Sequence, residues 1–370
     1  MKTTYLLLCL LGIGSVSGAG QTKQPQKIGD FIESTSYNEH RRNATRSLQY
    51  TPDGDDFVCI NGKNRFTRAL YGSHTAFRLE TSDRPVFAAY TKENPKHICF
   101  KLQTSGGTVA LDSTEHCESR YTAGRRSYSL SDPAFGGGSL SITTWALPDK
   151  EGAIWQFNAR NFKEFHPVLL ASISEIRNSK LNRNGDMGAD PADSFEAPLQ
   201  PQQLQSFPVQ IDGTLYILLE NQELRTLTTA EGENLFKKAE AARSETASRI
   251  RIETPDPYFN TLGGTLAMAA DGIWDGEVWL HGAIGWRMPL SGWRAAYTGD
   301  VLGWHDRART HFNAYAASQV TEVPNTLPHP AQDSALHLAR SVKKWGTPQY
   351  SNGYICRNPH RNNRHCYSYR

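Results

Sequence analysis

The stretch Trp155-Gln156-Phe157-Asn158-Ala159-Arg160 sets Trp155, Phe157 and Ala159 on one side of an extended chain and Gln156, Asn158 and Arg160 on the other. Successive side chains of a strand point to opposite faces, so this is the pattern of a half-buried antiparallel strand. Phe77 and Leu79 oppose Arg78 and Glu80 in the same way. From about Asp56 to Glu220, roughly a dozen such runs are separated by turn residues such as Asn61-Gly62, Ser105-Gly106-Gly107, Gly136-Gly137-Gly138 and Asp212-Gly213. They predict a large antiparallel β-sandwich over residues 38–222. One insertion, Asn178 to Gln205, is rich in Asn, Asp, Gly, Pro and Gln and reads as a loop. Within it Asn182, Asn184, Asp186 and Asp190 offer oxygen side chains in the manner of a calcium loop, but without the glycine placement and terminal Glu of an EF-hand. No cofactor is expected apart from calcium there.

After Thr229 the period changes. Glu231 to Ile250 is built from Ala, Glu, Lys and Arg with Leu235, Phe236, Ala239, Ala242 and Ile250 on one face, which predicts a linker helix over 231–252. Thr254-Pro255-Asp256-Pro257 breaks it and supplies start signals for a helix from Tyr258 to Ala270. Another is predicted from Asp300 to about Ala317. Two helices make one hairpin, which cannot bury both of its faces alone.

The first residues fit a cleavable secretory signal. Lys2 precedes an apolar run from Tyr5 to Val16, and small residues lead to Gly20. The run is short of the ~20 residues a spanning helix needs. A periplasmic or secreted protein without membrane insertion is therefore expected, cleaved near Gly20. The net charge of +3 is carried by the tail, where Arg357, Arg361, Arg364 and Arg370 stand without an acid. The body has no basic face for nucleic acid. Five cysteines follow the signal; Cys99 and Cys117 could bridge a hairpin, the other reading being buried free thiols in strands for Cys59 and Cys99.

Five of the eight tryptophans lie at 274, 279, 286, 293 and 304, among Asp271, Asp275, Glu277, His281, Arg287, Arg294, Asp300, His305, Asp306 and Arg307. Flat aromatic faces take sugar C–H surfaces, and carboxylates and guanidiniums bond vicinal hydroxyls. A core avoids so many glycines and charges, so the cluster reads as a carbohydrate cleft.

Glu253-Thr254-Pro255-Asp256-Pro257-Tyr258-Phe259-Asn260, then Gly292-Trp293-Arg294 and Gly299-Asp300-Val301-Leu302-Gly303-Trp304-His305-Asp306-Arg307, resembles the opening of the six-hairpin glycosidases, the (α/α)6-barrel group. The β-part, with Asn64-Arg65-Phe66-Thr67-Arg68-Ala69-Leu70-Tyr71-Gly72 and Thr75-Ala76-Phe77-Arg78-Leu79-Glu80, is similar to domain of unknown function 4450, which precedes such barrels in bacterial polysaccharide-utilisation proteins. The resemblance spans roughly Asp56 to Gly353. It implies a multi-domain chain, β then α: a β-sandwich followed by an incomplete helical-hairpin barrel over 255–353, with an aberrant basic tail at 357–370. It also implies Trp293, Arg294, Asp300, Trp304 and Asp306 as contacts to a poly- or oligosaccharide.

Glycoside hydrolysis needs two carboxyl groups about 5–5.5 Å apart for retention or roughly 6.5–9.5 Å for inversion. Asp275 and Glu277 are the nearest candidates, but residues two apart on a helix point to different sides. The relatives' acid and base come from later hairpins, so a truncated, inactive copy of a glycoside hydrolase is expected. The alternatives are a polysaccharide lyase, using His281, His305 or Tyr297 with Arg294, and a non-catalytic glycan-binding protein. Cys356, His360, His365 and Cys366 are zinc-type ligands whose spacing fits no zinc site.

Overall fold

The computed structural model describes residues 49–63, 66–72, 77–90, 96–162, 167–175, 204–280 and 297–317, with the backbone alone at 66–67 and 315–317. All lie in one compact unit, Gln49–Arg370. The signal, the calcium-type loop residues Asn182, Asn184, Asp186 and Asp190, and the Cys/His tail fall outside the described residues.

Two antiparallel sheets make up the β-part. The eight-stranded sheet runs β1 (Thr51–Asp53), β2 (Asp56–Ile60), β8 (His116–Thr122), β9 (Arg125–Ser131), β10 (Ser139–Ala146), β11 (Gly152–Arg160), β14 (Thr214–Glu220), β15 (Glu223–Leu227). The seven-stranded sheet runs β13 (Leu204–Pro208), β12 (Val168–Glu175), β6 (Lys96–Thr104), β5 (Val86–Tyr90), β4 (Arg78–Ser82), β3 (Phe66–Tyr71), with β7 (Gly107–Ala110) paired to the far part of β6. Leu204 and Gln205, expected in the loop, open β13.

β11 shows why the alternation folds this way. Trp155, Phe157 and Ala159 are fully buried, while Gln156 and Asn158 are half-buried and Arg160 exposed. Across the gap between the sheets Trp155 meets Phe87 at 5.4 Å and Phe100 at 5.7 Å, and Phe100 meets Phe157 at 5.1 Å, all edge-to-face. Each ring buries ~150–250 Å², roughly 4–6 kcal/mol of transfer free energy at ~25 cal/mol per Å². One expectation of the alternation fails. Arg78 is buried rather than exposed, its Nε donating to Glu80 Oε1 at 2.5 Å and its guanidinium 4.7 Å from the Tyr90 ring centroid. The reason is local: all of Val86–Tyr90 is buried, so this part of the sheet is covered on both faces.

The same core holds one fully buried ion pair. Arg126 Nη2 donates to Asp83 Oδ1 at 3.3 Å, to the Ser82 carbonyl at 3.0 Å and to Ser119 Oγ at 3.1 Å. Burial pushes the Asp83 carboxyl up, to about 6, against the pull of Arg126. Cys59, Cys99 and Cys117 are free thiols. Cys99 sits on β6 and Cys117 on β8, in different sheets, so they do not bridge a hairpin. Burial raises both thiols to about 12, which keeps them protonated and unreactive.

Four helices lie wholly within the described residues, α1 (Thr229–Ala247), α2 (Pro257–Asn260), α3 (Leu262–Gly272) and α4 (His305–Ala317), and residues 297–301 are helical as well. α1 starts two residues before the periodic run because Thr228 and Glu231 close a capping box. It lies on the outer face of the eight-stranded sheet, where Phe236 packs 4.0 Å from Trp145 and Glu240 accepts from Trp145 Nε1 at 2.8 Å. The helix expected over 231–252 ends early, at Ala247, because α3 crosses here. A Cβ on Gly263 would lie 2.7 Å from the Ile250 carbonyl, and one on Gly264 would lie 3.3 Å from the Ala247 Cβ. The expected helix from Asp300 is broken at Leu302–Trp304, with Gly303 at φ 82°. Among the described residues the helices form a small cluster beside the sandwich, not an (α/α) barrel. No described helix is long and apolar enough to cross a membrane.

Candidate functional site

The segment singled out for chemistry begins where α3 ends. A Cβ on Gly272 would lie 2.2 Å from the Tyr71 ring, so only glycine lets α3 finish on β3. The chain then turns back on itself, Trp274 bridging to Trp279. Asp275 Oδ1 accepts from the Glu277 amide at 3.0 Å and the Val278 amide at 2.7 Å, with Gly276 at φ 98°. This carboxylate is the acceptor that closes the turn.

Trp274, Trp279 and Trp304 pack together. Trp279 is 1% exposed; its ring lies 4.6 Å from Trp274 and 6.4 Å from Trp304. Its Nε1 donates to the Ala270 carbonyl at 3.0 Å and its amide to His311 Nδ1 at 2.9 Å, which ties α3 to α4. A Cβ on Gly299 would lie 2.0 Å from the Trp279 ring. Trp304 is 8% exposed, with the guanidiniums of Arg249 and Arg307 at 5.0 and 4.9 Å from its ring. Arg307 also donates to Asp271 Oδ1 at 2.5 Å and sits 5.6 Å from the Trp274 ring.

Outside this packed cluster the N-terminal end of α4 carries polar groups. Asp300 Oδ1 and His305 Nδ1 are 2.6 Å apart, the imidazole two-thirds exposed. Asp306, almost fully exposed, pairs with Arg309 at 3.0 Å in the first turn of α4, where a carboxylate also meets the positive end of the helix dipole. Of the predicted contacts, the structure thus brings Asp300, Trp304 and Asp306 to one end of α4. Trp304 is packed beneath; the Asp306 carboxylate is exposed, and that of Asp300 is half-buried and turned to His305. Trp293, Arg294 and His281 lie outside the described residues. Asp275 and Glu277 sit in the tight turn rather than on a helix. Arg249 is a contributor that the periodicity could not reveal, since it falls within a run read as one continuous helix. Among the described residues no three His, Cys, Asp or Glu side chains come together as a metal site.

Residues 95–249 match the model of a family described as a domain of unknown function, DUF4450. The match covers β6 to β15 and α1 and stops where α1 has ended; the motif at 64–72 and the helices beyond Arg249 lie outside it. No curated protein matches the chain.

Proposed function

We propose that the chain is a carbohydrate-active protein of bacterial polysaccharide utilisation, exported, whose helical part is the opening of a six-hairpin glycosidase-type (α/α)6 barrel. The observation that carries this reading is the build of the α4 end. Trp274, Trp279 and Trp304 form a buried cluster, and beside Trp304 in sequence a half-buried Asp300 pairs with an exposed His305 while Asp306 is exposed. Carboxylates and an imidazole are groups that hydrogen-bond vicinal hydroxyls. In this reading Asp300 and Asp306 contact the sugar together with Trp293 and Arg294, and Trp304 supports them from beneath.

The chain holds its glycan without hydrolysing it. Asp275, one of the two carboxylates considered for catalysis, is engaged by two amides of its own turn. Affinity electrophoresis through gels containing soluble plant and host polysaccharides tests the proposal. Retardation by at least one polysaccharide, weakened by Asp300→Ala and Arg294→Ala, with no new reducing ends, is expected. Unretarded migration in every gel contradicts it.

A further inference from the structure

A groove of about 790 Å³ lies where the sandwich meets the helices, within the roughly 300–1,000 Å³ range of ligand clefts. The turn at Gly54-Asp55, the crossing of α1 and α3 at Ala247 and Gly264, and the connection from α1 to α2 line it. That connection has an unusual character. In Ile250–Glu253 the isoleucines are half-buried and Arg251 and Glu253 exposed, the alternation of a strand. Yet the segment joins neither sheet, and no amide or carbonyl of Arg251, Ile252 or Glu253 hydrogen-bonds another described residue. The main-chain donors and acceptors of Arg251–Glu253 thus lie within the groove's lining, unused by the described residues.

The charges in the groove cancel. Among the described lining residues Arg243 and Arg251 are matched by Asp55 and Glu253. Arg251 is paired with Glu253. Arg243 is held by Glu240 at 2.6 and 2.9 Å and by the Ala123 carbonyl at 2.9 Å. Burial pushes the Glu240 carboxyl up, but its bonds from Arg243 and Trp145 outweigh that and keep it below the usual range, so Arg243 remains occupied.

We infer that this groove is a subsite for a neutral oligosaccharide, an inference that rests on the carbohydrate reading above. An uncharged chain of hydroxyls donates and accepts in equal measure. It would complete the main-chain row at Arg251–Glu253, meet Ser244 and Ser248, and lay its C–H faces on Ile250 and Ile252. An anionic glycan would instead bring its carboxylates beside Asp55 and Glu253, in a lining whose acids equal its arginines and whose Arg243 is held by Glu240.

Hydrogen–deuterium exchange and titration calorimetry on the whole chain test this, using neutral cello-, xylo- and manno-oligosaccharides and oligogalacturonates as probes. A neutral probe is expected to bind, to slow exchange of the 251–253 amides, and to bind at least about tenfold more weakly to Ser244→Trp, whose indole fills the groove. Unchanged exchange at 251–253 on binding of a neutral probe, with affinity lost only in Asp300→Ala, overturns the groove assignment and leaves the carbohydrate reading standing. A preference for oligogalacturonates overturns the neutral-ligand assignment. Absence of binding by every probe removes the carbohydrate reading as well. The exchange readout stands if Ser244→Trp fails to fold.

Discussion

The guanidinium of Arg249 lies 5.0 Å from the ring centroid of Trp304, and its Nη1 donates to the Leu302 carbonyl at 2.9 Å. Arg249 follows the helix that covers the sandwich, and Trp304 precedes α4, so this one side chain fastens the helical cluster to the end of α1. A stacked and hydrogen-bonded guanidinium is worth ~1–3 kcal/mol. Arg249→Ala should lower stability by that amount and make the chain near 297–304 the first site of proteolysis. Arg249→Lys should restore little, because an ammonium cannot stack and donate in the same plane. Denaturant titration and limited proteolysis read both effects.

The Arg126–Asp83 pair carries a different expectation. Both side chains are fully buried, so Arg126→Met strands a carboxylate and should cost ~3–5 kcal/mol. Asp83→Asn combined with Arg126→Met should lose clearly less than the sum of the single changes. Additive losses in a double-mutant cycle would show that the two groups do not act as a pair.

His97 is one source of acid lability. It is buried beside Cys99, with Nε2 3.5 Å from the thiol, and burial lowers it from 6.5 to about 4 against the pull of Asp112. The unfolded chain therefore takes up a proton below pH ~6.5 that the folded chain refuses until about 4, and stability falls through that window as pH falls. The loss is on the order of 3 kcal/mol. Asp83, raised to about 6, acts the opposite way over much of the same range, since folding then favours its protonated form. The diagnostic is the difference between proteins: His97→Gln should be less acid-labile than wild type between pH 6.5 and 4, by denaturant midpoints.

Gly272→Ala should undo the docking of α3 on β3. The added methyl meets the Tyr71 ring at 2.2 Å, and overpacking of this kind costs ~1–3 kcal/mol. Amide exchange should accelerate in α3 and α4 while β8 to β11 keep their protection. Faster exchange throughout the sandwich would contradict this division.

The strands were legible because burial on one face writes itself into the sequence with period two, as at Trp155–Arg160. Arg78 broke the pattern because a second layer, invisible to local periodicity, covers β4 and β5. The start of α1 was readable in Thr228 and Glu231, whereas its end depends on a crossing with Gly263 and Gly264, residues with no local link to it. The tryptophan-rich segment teaches a related point. Its glycines suggested a loop-built cleft, yet Gly272 and Gly299 are there so that backbone can lie against the Tyr71 and Trp279 rings. Glycine beside an aromatic marks close packing as readily as an open site. Where the charges would fall, with Asp271 turned to Arg307 and Asp300 to His305, needed the three-dimensional arrangement.

In the proposed function the α4 end grips a glycan. Titration calorimetry of the wild-type chain and of Asp300→Ala, with a polysaccharide that retards the wild type, decides the point. The account predicts a saturable heat for wild type and at least about tenfold weaker binding for Asp300→Ala, with an unchanged thermal midpoint. Equal affinities for the two proteins would contradict it.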